Sequence, residues 1–252
     1  MKKLFTMLAL IIISLQTFAQ EKQTRTVAVF DKVNIRSAIT AFIRQGSSTS
    51  VEIETDVANK DKIITEVKNG ELIIRRDDQW KDWWKNNDNN KIIAYITVKD
   101  LKSLRVSGAS IAKGQTAFNT NGNFELEVSG ASRLSLDLTA KQVNAEFSGA
   151  SHCDIKLNAS EADIEVSGAS HLDISGKTDR QELEVSGASH FKGNDFVSKK
   201  ATIEASGASH AEVAVSEDVV VNSSGASHVD YHGSPSRAVT NASGSSKVRK
   251  VQ

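Results

Sequence analysis

A tetrapeptide, Ser-Gly-Ala-Ser, begins at Ser107, Ser129, Ser148, Ser167, Ser186, Ser206 and Ser224, and a Ser-Gly-Ser-Ser variant begins at Ser243. Successive copies start about 19 residues apart. The steps from Ser107 to Ser129 and from Ser186 to Ser206 are the longest. Self-similarity at a nearly fixed period is the mark of a repeat architecture, in which each unit buries its apolar face only by stacking on the next. The flanks repeat as well. Phe124-Glu-Leu-Glu-Val128 and Val143-Asn-Ala-Glu-Phe147 alternate apolar with polar residues before the motif, and Leu134, Leu136 and Leu138, or Cys153, Ile155 and Leu157, resume the alternation after it. Period-two alternation predicts strands buried on one face.

Each unit therefore reads as strand, glycine-containing corner, strand and polar turn. About 19 residues leave no room for a crossover helix of a dozen or more residues between two strands. The chain is thus expected to be all-β, a parallel β-helix (solenoid) whose coils follow the motif period and lie roughly 4.8 Å apart. Parity counted from the strand before the motif places Val128, Gly130, Ser132 and Leu134 on one side and Ser129, Ala131 and Arg133 on the other, unless the chain bends at the glycine. The glycine is read as a backbone device that takes positive φ or admits the next coil closely. A phosphate-cradling loop is disfavoured, because no helix follows to offer its N-terminus.

Ahead of the repeats, Met1 to Ala19 has the layout of a secretory signal peptide. Lys2 and Lys3 lead a short apolar run from Leu4 to Leu15, and Thr17-Phe18-Ala19 supplies small residues before Gln20. The run is shorter than the roughly 20 apolar residues of a permanent span, so no membrane span is expected in the mature chain. No cysteine follows it to carry a lipid, and the single cysteine, Cys153, cannot form an internal disulfide. The 31 basic and 31 acidic residues form no basic stripe, which argues against nucleic acid as a partner. Residues 20–252 are read as one β-helical domain, less regular over 20–100 and regular over 101–252.

Short β-type runs in the less regular part are Val27 to Ile35, Ala41 to Arg44, Ser50 to Glu54, Ile63 to Val67, Glu71 to Arg75 and Ile92 to Val98. They are expected to begin or cap the solenoid. Phe30-Asp31-Lys32-Val33, the Arg44-Gln45-Gly46 turn, Val51-Glu-Ile-Glu54, Gly70-Glu-Leu-Ile-Ile-Arg75 and Leu101-Lys-Ser-Leu-Arg-Val-Ser-Gly108, in that order before the Ser-Gly motifs, resemble the auto-transporter adhesin head GIN domain family. The resemblance covers nearly all of the mature chain. It implies a right-handed parallel β-helix at a bacterial envelope and supplies no activity. The stub Lys247 to Gln252 holds no series of lipid-facing strands, so a free periplasmic or secreted head is expected.

The residue after the motif is His152, His171, His190, His210 and His228 in five consecutive units, between Arg133 and Lys247. Stacked coils would align these imidazoles in a ladder, with Asp154, Asp173, Glu212 and Asp230 two residues on and Lys192 breaking the series. A His-x-Asp pair points both side chains the same way, so a ligand array is conceivable. A solvated, hydrogen-bonded face is the preferred reading, and neither metal nor cofactor is assigned. Trp80, Trp83 and Trp84 sit in a polar stretch and are read either as exposed platforms for sugar rings or as a plug of the coil end.

Catalysis has the weakest support. Polar residues recur in every unit, and adjacent pairs such as Ser151-His152 point to opposite faces of a strand. Cys153 is expected inward and inert. The expected function is a non-enzymatic exported envelope protein, periplasmic, at the cell surface or secreted, that offers a rigid β-helical surface for adhesion or for binding a glycan or a protein. The alternatives are a β-helical polysaccharide lyase or hydrolase, and self-association through open coil ends.

Overall fold

The computed structural model describes residues 21–55, 57–77, 79 and 91–251. Residues 1–19, read above as a signal peptide, and the three tryptophans lie outside these residues. The first ten strands are β1 (Glu21–Arg25), β2 (Lys32–Ile35), β3 (Thr40–Gln45), β4 (Ser50–Thr55), β5 (Ile63–Lys68), β6 (Glu71–Arg76), β7 (Ile93–Val98), β8 (Ser103–Val106), β9 (Ile111–Asn119) and β10 (Asn123–Val128). Five long strands follow, β11 (Arg133–Phe147), β12 (His152–Val166), β13 (His171–Val185), β14 (His190–Ala205) and β15 (His210–Ser223). The chain ends in β16 (His228–His232), β17 (Arg237–Ala242) and β18 (Lys247–Val251). A short 3₁₀ segment, Val57–Lys62, is the sole helical element among the described residues, and no helix there is long and apolar enough to cross a membrane.

From β8 onward the strands pair in parallel and in register, making a β-solenoid whose coils keep the period of the motif. Leu134 lies opposite Cys153, Cys153 opposite Leu172, and Leu172 opposite Phe191. The expected polar turn is present between β9 and β10 and between β16 and β17, and in β11 to β15 it is replaced by a bend inside a continuous strand. In β11 the inward series Leu134, Leu136, Leu138, Ala140 gives way to Val143, Ala145, Phe147, with Lys141 and Gln142 both exposed. Two consecutive outward residues shift the side-chain phase, so both arms of the strand keep an apolar face toward the core.

The motif makes the other corner. Its glycines take φ between 65° and 76°. A Cβ on Gly168 would stand 2.5 Å from the carbonyl oxygen of Gly149, and one on Gly187 would stand 2.5 Å from that of Gly168. Positive φ and close approach of the preceding coil thus both demand glycine. The corner also continues the ladder, with Ala150 N donating to Gly130 O at 2.9 Å and Ala169 N to Gly149 O at 2.7 Å.

One side-chain assignment is corrected. Val128, Ser132 and Leu134 face inward as parity predicts, but Gly130 is exposed, because the corner lifts the glycine and alanine away from the core. The closing serine of each motif turns back in. Ser110, Ser132, Ser151, Ser170, Ser189, Ser209 and Ser227 are all buried, and Ser151 Oγ donates to Ser170 Oγ at 3.1 Å.

The two longer steps of the repeat are absorbed mainly in the strands after the corner, with one further residue of the first step taken up in the turn at 120–122. Gly114, Gln115 and Thr116 stand opposite Leu136 alone, and Gly193 with Asn194 stands opposite Ile174 alone. These bulges lengthen two coils without disturbing the motif stack.

The N-terminal part is threaded out of sequence order. β2 pairs with both β6 and β8, and β3 with both β7 and β9, so the coil β2–β3 is sandwiched between two coils formed later in the chain. β1, β4 and β5 then close this end as antiparallel strands. At the other end, every residue of β17 is exposed. The last coil carries Arg237, Lys247, Arg249 and Lys250 and no acidic residue from Gly233 onward.

Candidate functional site

Register delivers the histidine ladder that the motif spacing predicts. Arg133, His152, His171, His190, His210, His228 and Lys247 occupy one outward column on seven successive coils. Ring centroids of His152 and His171 lie 5.1 Å apart with planes 4° from parallel, and those of His210 and His228 lie 5.2 Å apart at 7°. His190 is the misfit, tilted 31° from His171 and 48° from His210.

The adjoining column explains the misfit. It runs Ser135, Asp154, Asp173, Lys192, Glu212, Asp230, Arg249. Nε2 of His171 lies 3.5 Å from Asp173 Oδ2, that of His210 lies 3.4 Å from Glu212 Oε1, and that of His228 lies 3.1 Å from Asp230 Oδ1. At His190 the residue two positions on is Lys192, which accepts no hydrogen bond. The two well-stacked histidine pairs are therefore those flanked by acids on both of their coils.

Beside this column the solenoid carries a shallow groove. Ser135, Asp137, Asp154, Lys156, Asp173 and Ser175 line its middle, with Gly114 of the first bulge and Asn194 and Asp195 beside the second at its margins. Lys156 Nζ donates to Asp137 Oδ2 at 3.1 Å. The groove is a product of the two bulges, since uniform coils would present a flat ribbed face. Hydroxyl, carboxylate and ammonium groups alternate in its lining with the edges of Leu136, Ile155 and Ile174 on its floor.

A further column, on the arm of each coil that precedes the corner, was not foreseen. Glu127, Glu146, Glu165, Glu184 and Glu204 stack in register, with Arg105 ahead of them and Asn222 and Asn241 after. Each of these acids stands two residues before a Ser-Gly-Ala-Ser, so the signal was present at the same period as the histidines. Arg105 holds one end, with Nε 3.1 Å from Glu127 Oε2 and Nη1 2.9 Å from Glu71 Oε1. Glu165 is exposed, and partial desolvation against the sheet together with the neighbouring Glu146, Glu184 and Asp163 raises its carboxyl above the ordinary glutamate value.

Of the residues singled out from sequence, the five histidines, Asp154 and Asp173 come together on one outward face, and Trp80, Trp83 and Trp84 lie outside the described residues. Cys153 is fully buried, as expected. Burial pushes its thiol up to about 12, and Asp154 adds to the rise against hydrogen bonds at Leu134 and Ser151.

The fold has solved relatives. A protein of Parabacteroides distasonis described as a "putative lipid binding protein" superposes with a TM-score of 0.82 at 19% identity, over 92% of this chain and 97% of its own. A "putative adhesin" of the same organism gives a TM-score of 0.80 at 16% identity over 93% and 98%. A "putative adhesin" of Parabacteroides merdae gives 0.77 at 14% identity over 92% and 96%. At these identities the likeness establishes the fold. No curated protein matches the chain. The model of the family described as "Putative auto-transporter adhesin, head GIN domain" matches residues 29–235, and the chain belongs to that family.

Proposed function

We propose that this protein is an exported, non-enzymatic, adhesin-like scaffold that binds an envelope glycan or protein through the groove beside its histidine ladder. The observation that carries the reading is the register itself. Parallel pairing repeats the same outward side chains on coil after coil, which builds an extended, multivalent face in place of a single converging constellation. Family membership and the adhesin descriptions of two structural neighbours support the same reading. The leader-like Met1 to Ala19 supports export to the periplasm, the cell surface or the medium.

One observation favours a second reading, a carbohydrate-active enzyme. Asp137 and Asp195 lie in the groove in a column whose intervening members are Lys156 and Ser175. Carboxylates that break a repeat are what a glycosidase or lyase site would need. Against this, Asp137 is tied to Lys156, and Glu165, the carboxylate raised by its surroundings, stands outside the groove.

A glycan array probed with the mature protein, run beside polysaccharide digests, separates the two. Retention of a defined set of glycans without chain shortening supports the scaffold. Shortening of any offered polysaccharide, with loss in Asp137→Asn, overturns it.

A further inference from the structure

The two ends of the histidine ladder carry corresponding His-x-acid quartets, and a difference between them is the cation that faces their acids. At the C-terminal end, His210, Glu212, His228 and Asp230 form two stacked His-x-acid pairs, and the Arg249 guanidinium closes on Asp230, donating from Nε to Oδ1 at 2.9 Å and from Nη2 to Oδ2 at 2.6 Å. The acids there have a cation. At the N-terminal end, His152, Asp154, His171 and Asp173 form the matching quartet. The position equivalent to Arg249 on the outer side is Ser135, which brings no charge. Lys156 is engaged with Asp137, one column away. Lys192 follows Asp173 on the next coil, and no ion pair joins the two.

The quartet is arranged as a set of metal donors. One ligand atom from each of His152, Asp154 and Asp173 lies within 4.8 Å of the other two. Asp173 Oδ1 is shielded from solvent and accepts no hydrogen bond, while the side chain as a whole is 34% exposed. Its other oxygen faces Nε2 of His171 at 3.5 Å, the kind of contact that orients a ligating carboxylate.

We infer that His152, Asp154 and Asp173 form a binding site for a first-row divalent cation of the zinc class, filling at this end of the ladder the role that Arg249 fills at the other. One imidazole nitrogen and two carboxylate oxygens are a donor set that zinc accepts. Bonds of about 2.0–2.2 Å require donor atoms roughly 3.3–3.6 Å apart, a closure that rotation of the exposed His152 and Asp154 side chains supplies. Three protein ligands leave the fourth position open, and because Asp154 and Asp173 also line the groove, that position adjoins it. The inference stands apart from the proposed binding function, since the donors are fixed by register alone.

The test is calorimetric titration of the metal-free mature protein with zinc chloride, supported by the visible spectrum of the cobalt-substituted protein. All three donors are on the outer face, so His152→Ala, Asp154→Asn and Asp173→Asn should keep the β-solenoid, which far-UV circular dichroism checks. The expected result is one saturable site per chain, weakened at least about tenfold in each of the three variants and unchanged in His228→Ala. Absence of saturable binding, equal binding in the three variants, or equal loss in His228→Ala would each overturn the assignment.

Discussion

Arg249 binds Asp230 through both arms of its guanidinium, Nε to Oδ1 at 2.9 Å and Nη2 to Oδ2 at 2.6 Å, and so fastens β18 to the coil beneath it. Asp230 is 7% exposed, so its charge depends on that bond and on His228 beside it. The hydrogen bond from Arg249 holds the Asp230 carboxyl below the ordinary aspartate value, against the opposing effect of burial. A carboxylate depressed in the folded state contributes stability that is present above its unfolded value, near 3.8, and is lost as pH falls through the lower native value. Arg249→Ala should therefore loosen the last coil at neutral pH. Amide hydrogen exchange in β16 and β18 should accelerate roughly tenfold or more, with β11 to β13 unaffected. Unchanged exchange in β18 would show that the pair holds nothing.

The motif glycine is required twice over, by its φ and by the coil behind it. Gly168→Ala places a Cβ 2.5 Å from Gly149 O at φ +75°. Left-handed strain and overpacking together should cost about 3 kcal/mol. Gly122→Ala is the matched control, since nothing lies within 4 Å of its added Cβ. Chemical denaturation of the two variants should show a large loss in the first and little change in the second.

Stacked glutamates on the arm before the corner predict a pH effect of the other sign. A glutamate raised in the folded state destabilises the fold in full above its native value, and that penalty fades as pH falls and is gone below the ordinary 4.5. Glu165→Gln should stabilise the protein at neutral pH and low salt by about 0.5 kcal/mol. The gain should vanish below pH 4.5 and shrink in salt. A stability difference independent of pH would contradict the repulsion.

Cys153 should be silent in the native protein. With its thiol buried and pushed up to about 12, too little thiolate is present near neutral pH for attack. A thiol reagent should label it only on unfolding, at the rate of global opening. Rapid labelling under native conditions would mean that the core opens around β12.

The period of the tetrapeptide carries most of the fold, because a parallel ladder converts a fixed spacing along the chain directly into adjacency between coils. It places the five histidines and their acids in columns from the sequence alone. The groove is less legible, yet its cause is visible in the two longer steps, Ser107 to Ser129 and Ser186 to Ser206, most of whose extra residues bulge at Gly114 to Thr116 and at Gly193 and Asn194. The Glu127 to Glu204 column stands in the same repeat, two residues before each motif, and is overshadowed by the more unusual histidines after it. Insertion of β2–β3 between later coils leaves no local pattern, since pairing between distant strands is decided by the packing of Val33, Ile35, Leu72 and Leu104, not by neighbours in the chain. The outward Gly130 escapes a parity count because such counts assume an unbroken strand, and the corner breaks it.

The central claim is that the bulge-framed groove beside the ladder is the binding face. Ser175→Trp would fill the groove from its lining while leaving the core untouched. Retention of array glycans or of labelled envelope proteins by the wild-type chain, and its loss in Ser175→Trp with unfolding behaviour unchanged, is the result this account predicts. Equal retention by both, or none by the wild type, would contradict it.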